Sequence, residues 1–128
     1  MKKKSKRAKA RTVATYQMGI QNVDLVIDAK LASSRVDLWP RVGNVRMIIG
    51  ARQGSWVLTL EGLLHETFEL AAIQSLRRFT PDPGWAKTLS DYLFVMDHAQ
   101  FQEIAARCAP FLAGAIPALR EAFEARSQ

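Results

Sequence analysis

LEGLLHETFELAAIQSL, residues 60–76, is the stretch on which the reading of this chain turns. Its apolar residues recur at helical spacing and cover almost the whole circumference, yet His65, Glu66 and Glu69 stand in its middle. The segment reads as one central helix, with Thr59 as its expected N-cap and Gly62 as its single weak interior position. It is expected to run to Arg78, where Arg77 and Arg78 would suit the negative end of the helix dipole.

What lies before this helix is of a different kind. Residues 22–28 (NVDLVID) alternate apolar and polar side chains, the period of a half-buried strand. Residues 35–39 (RVDLW) repeat that pattern and stop at Pro40, and residues 44–50 (NVRMIIG) form a third run closed by Gly50. Residues 55–58 (SWVL) read as a short fourth strand or as the approach to the helix. The connections are too short for crossover helices, so the sheet should be mostly antiparallel.

After the helix, residues 80–84 (TPDPG) form a loop. Residues 92–96 (YLFVM) read as a strand or as the first turn of the next element. Asp97 is the expected N-cap of a helix over residues 99–109, Pro110 its interruption, and Pro117 a second break before residues 118–125. Strands first and helices afterwards predict an α+β fold: a small, mostly antiparallel sheet in the N-terminal half, then the central helix, then C-terminal helices.

Composition fits one domain over residues 13–128. The net charge of +6 is misleading, because Lys2, Lys3, Lys4, Lys6, Arg7, Lys9 and Arg11 supply seven of the 18 basic residues. The rest of the chain is close to neutral. Residues 1–12 therefore read as a disordered, solvated basic tail whose one expected partner is a weakly and nonspecifically held polyanion. Sequence-specific nucleic-acid readout by so neutral a body is not expected. No continuous apolar run follows the tail, so neither an export signal nor a membrane span is read. The single cysteine, Cys108, excludes an internal disulfide, fits a reducing cytoplasm and falls in the apolar pattern of a late helix.

The chemistry sits in the central helix. With Leu60 at zero and about 100° per residue, His65 falls near 140° and Glu69 near 180°, flanked by Ala72 and Leu76. Glu66, near 240°, stands beside the pair, with Arg77 near 260° on the expected wetter side. A buried His65–Glu69 pair needs compensation, either by a mutual hydrogen bond at i, i+4 or by a shared metal ion. In the second case Glu66 stands where a general base would activate water, although the zinc motif H-E-x-x-H carries Glu69 in place of its second histidine. The other histidine, His98, opens the next helix and is read either as a third ligand or as a residue of the capping region.

LLHETFELAAIQSL, followed by MDHAQFQEIAARCAPFLAGAI and preceded by the β-prone NVRMIIGARQGSWVL, resembles small phage and prophage proteins with zincin-like sequences. The resemblance spans residues 45–119. It implies zinc as the cofactor, His65, Glu69 and His98 as its ligands, Glu66 as the catalytic base, metallopeptidase-like hydrolysis, and the cytoplasm of a bacterial host. The competing expectation is a non-catalytic interaction protein of a mobile genetic element that binds a peptide or protein of the host or phage. In that case Trp39, Trp56 and Trp85 are candidate anchors where exposed and core residues where not.

Overall fold

A computed structural model describes residues 10–38, 43–75, 78–79, 93–94 and 97–126. Its elements run β1 (Arg11–Met18), β2 (Gln21–Asp28), β3 (Arg35–Asp37), β4 (Val45–Gly50), α1 (Trp56–Gln74), β5 (Arg78–Phe79), β6 (Leu93–Phe94) and α2 (His98–Ala125). The α+β order is as expected. Most of the proposed tail, the loop at residues 80–84, Arg77, Trp39 and Trp85 lie outside the described residues.

The main sheet has the order β1-β2-β4-β3. Pairings β1/β2 and β3/β4 are antiparallel, while β2/β4 is parallel, with Val23 against Val45 and Ile27 against Ile49. No helix is needed for the parallel pair, because the chain passes out to the edge at β3 and returns to insert β4 beside β2. A separate antiparallel pair joins β5 to β6.

β1 is an element the sequence reading missed, and it begins at Arg11, inside the stretch assigned to the tail. The cause is a register shift between Thr12 and Ala14. Val13, Tyr16 and Met18 all pack against the core, and the three-residue step from Val13 to Tyr16 breaks the period of two. Gly19, at φ +59°, turns β1 into β2 in a tight hairpin. Any Cβ there would come within 2.7 Å of the Arg107 guanidinium and 2.8 Å of Gln74 Oε1. The Gln74 amide in turn donates to Met18 O at 3.0 Å and ties the hairpin to α1.

Both helices cover one face of the sheet, α2 over β1 and α1 over β4. Val23, Leu25 and Ile27 of β2, with Val45, Met47 and Ile49 of β4, form the floor of the core, and Leu63, Leu70, Phe111 and Leu119 descend onto it. Each of these large side chains contributes about 1.5–3 kcal/mol on burial. Cys108 is buried here as expected, its Sγ 4.0 Å from Thr67 O, and burial pushes its thiol up to about 11.

Three expected boundaries are corrected. The N-cap of α1 is Ser55, whose Oγ accepts from Leu58 N at 3.3 Å, so residues 55–58 are the cap and first turn and not a strand. Thr59, the expected cap, is buried and donates its hydroxyl to Ser55 O at 2.8 Å. α1 also stops at Gln74, and Arg78 belongs to β5.

The third correction concerns the C-terminal helices, which are one helix of 28 residues with Pro110 and Pro117 inside it. Both prolines are exposed and lie seven residues apart, on one face. The carbonyls that lose their N–H partners, those of Ala106 and Ala113, belong to exposed residues where water can replace them. The opposite face buries Ile104, Cys108, Phe111, Ala115, Leu119 and Ala122. That packing offsets the ~3 kcal/mol that an interior proline costs. Asp97 caps the helix as expected: its carboxylate accepts from Gln100 N at 2.8 Å and its own N–H donates to Gln100 Oε1 at 2.9 Å. Among the described residues, no helix is long and apolar enough to cross a membrane.

Candidate metal centre on the first helix

α1 does not turn to the core the apolar stripe of Leu60, Leu64 and Phe68, which recur every four residues. Thr59, Leu63, Glu66, Thr67, Leu70, Ala71 and Ala72 are its buried residues. On the wheel used above most of them centre near 290°, roughly a quarter turn from the Leu60–Leu64–Phe68 stripe. Glu66 is therefore 8% exposed, whereas the His65 side chain is 68% exposed and that of Glu69 25%. The expected burial of the pair is corrected: the imidazole stands in solvent, and it is Glu66 beside it that is buried. A helix that is apolar nearly all round leaves the choice of face to its neighbours, here α2, β4 and β3.

His65 and Glu69 do meet. His65 Nε2 lies 3.1 Å from Glu69 Oε2, the i, i+4 contact that helix geometry predicts. Glu66 joins them, and one ligand atom from each of the three residues lies within 4.8 Å of the others. One imidazole nitrogen and two carboxylates form a donor set that can hold a metal ion. His98 is not part of the group. It is the exposed first residue of α2, and the capping box around Asp97 and Gln100 accounts for its position. The premise that burial of His65 demands a cation also fails, because an imidazole in solvent carries little desolvation cost.

Beside the donors lies a cleft of about 300 Å³, lined by Ala32, Ser33, Ser34, Gln53, Leu58, Glu61, Gly62, His65 and Glu66. Glu69 is not among these, so Glu66 faces the cleft while Glu69 stands to the side. Most of the wall is polar. Its far side is residues 32–34, which approach closely because two glycines permit it. A Cβ on Gly62 would lie 2.5 Å from Ser34 Oγ, and one on Gly50 would lie 2.5 Å from Leu31 O and 2.6 Å from Ser33 O. Gly62 is thus the place where a loop is admitted against the helix, not a defect. The sequence reading missed this wall, although a mid-helix glycine and a strand-ending glycine opposite a Ser-Ser pair were its available signals.

Comparison with known proteins gives no match to any protein-family model, curated protein or solved structure. The zincin-like likeness accordingly rests on the sequence motif alone.

Proposed function

We propose that α1 carries a zinc site of reduced zincin type and that the chain is a metal-dependent hydrolase acting on a ligand held in the adjoining cleft. The observation that carries this reading is the convergence of His65, Glu66 and Glu69 within one ion's reach at the cleft. His65 and Glu69 would hold the ion, and when bound it would supply Lewis acidity and a water nucleophile at neutral pH. Glu66, on the cleft side, is assigned the proton of the attacking water, with its burial and its place on a rigid helix fixing its aim. Two protein ligands are fewer than the usual three, which favours a weak, exchangeable ion over a permanently held one.

Glu66→Gln separates the roles. On this reading the amide variant retains zinc in equilibrium dialysis while hydrolysis of a casein or peptide-library substrate disappears. Loss of zinc together with activity would move Glu66 into the ligand set. Absence of zinc uptake by the unmodified chain, unchanged in His65→Ala, would remove the enzyme reading.

A second reading has an observation of its own. On the solvent side of α1, Val57 is 71%, Leu58 47% and Phe68 45% exposed, which suits a helix face that binds a peptide or protein partner. Trp56, offered as an anchor, is instead half-buried against Phe123 and beneath the Arg120 guanidinium. Partner capture that persists in Glu66→Gln and fails in Val57→Ser with Phe68→Ser would favour this reading. The tail's weak polyanion contact is compatible with either reading and should vanish on deletion of residues 1–11.

A further inference from the structure

Across the cleft from the metal donors, Ser34 is held in an unusual way. Its Oγ accepts the Gly50 N–H at 3.0 Å, and among the described residues its own hydroxyl hydrogen has no acceptor. The oxygen sits 2.5 Å from where the Cβ of residue 62 would be, facing the helix one turn before Glu66 across the same cleft. Cβ positions at i and i+4 are about 6 Å apart. The hydroxyl and two of the metal donors, His65 and Glu66, therefore border one cleft. Gly50 and Gly62 together bring it there, since either Cβ would push residues 31–34 outward.

We infer that Ser34 is a ligand-positioning residue of this cleft, donating its hydroxyl hydrogen to an acceptor oxygen of a ligand that bridges it and the ion. The inference rests on the cation reading above and narrows the ligand class to molecules that present a carbonyl-type oxygen beside the metal-binding atom. Among the described residues Ser34 makes no hydrogen bond to a metal donor, and it is assigned no proton transfer; it orients what the ion holds. A donor on a flexible surface side chain would lose rotamer entropy on binding, whereas this oxygen is already fixed by the Gly50 N–H.

The test uses the full chain loaded with cobalt(II), whose visible spectrum reports the site, and acetohydroxamate as the probe. Cobalt affinity and acetohydroxamate affinity are measured separately for the unmodified chain, Ser34→Ala and Ser34→Thr. Expected are an unchanged cobalt affinity in Ser34→Ala, probe binding weakened about five- to tenfold, as for loss of one neutral hydrogen bond, and recovery in Ser34→Thr. Probe binding equal to that of the unmodified chain would overturn the proposal. So would a parallel fall in cobalt and probe affinity, which would mean that Ser34 only supports the loop through Gly50. Failure of the unmodified chain to take up cobalt would remove the metal reading and this inference together, and is distinguished from the other results by the cobalt titration itself.

Discussion

Replacing His65 by alanine distinguishes the exposed arrangement from the buried one that the helix pattern suggested. In the metal-free protein the substitution removes a surface contact of 3.1 Å to Glu69, with the imidazole 68% exposed. Such exposed pairs are worth about 0.2–1 kcal/mol. Alanine returns roughly 0.6 kcal/mol of helix propensity, so the net change should lie within about 0.5 kcal/mol of zero. Had His65 been buried and partnered, the loss would be several kcal/mol. Zinc adds a second arm: at a hundredfold excess over its dissociation constant, a ligand of the folded state alone stabilises by about 2.7 kcal/mol. Urea unfolding with chelator and with zinc measures both. Near-neutral behaviour in chelator, and loss of most of the zinc-dependent gain, are the expected results for His65→Ala. A destabilisation above about 2 kcal/mol in chelator would refute the exposure argument. An undiminished zinc response would refute His65 as a ligand.

Three further outcomes follow from the packing. Gly114→Ala forces a Cβ to 2.7 Å from the Tyr16 ring and disturbs the Tyr16 hydroxyl that donates to Gly114 O at 3.0 Å; chemical denaturation should show a loss of about 2–4 kcal/mol. Pro117→Ala restores an N–H for the Ala113 carbonyl on an exposed face, and should raise stability by about 1 kcal/mol after the larger entropy of the unfolded chain is counted. For Cys108 the folded thiol titrates at about 11 against 9.0 ordinarily, so the fold favours the protonated form. Its contribution is complete below pH 9 and is lost as pH rises through 11, about 2–3 kcal/mol in all. The difference in unfolding free energy between the unmodified chain and Cys108→Ala should shrink over that window.

The fold was legible wherever one face of an element was buried and its period unbroken. β2, β4 and the start of α2 follow from alternation, a closing glycine and the Asp97 cap. β1 was not legible, because its bulge puts Val13 and Tyr16 on one side and defeats the search for alternation. The continuity of α2 was hidden for the opposite reason: each proline is a valid local stop signal, and the tertiary contacts that overrule it lie on the other face. At the site, the contact between His65 and Glu69 was legible from spacing, since i, i+4 geometry is intrinsic to any helix. Which of the three polar residues would be buried was not. α1 offers apolar side chains in nearly every direction, and only its seat on the sheet selects Glu66 for the interior.

That selection changes what the site must explain. A surface histidine next to a glutamate one turn away is an ordinary solvated pair, and by itself it gives no reason to invoke an ion. What sets this pair apart is the carboxylate beside it, 8% exposed and on the cleft wall, with the loop at residues 32–34 facing it. Burial alone does not require a cation there, because Glu66 does not lack a partner within the chain. The case for chemistry therefore rests on position: a rigid helix sets a buried carboxylate, an accessible imidazole and a third donor around one point. Two glycines bring a fixed hydroxyl to the opposite side of the same space. If the cleft is the working part, displacing its far wall should matter more than weakening any one donor. Gly62→Ala, which drives Ser34 away from the wall and leaves His65, Glu66 and Glu69 in place, should then abolish ligand binding while sparing the ion.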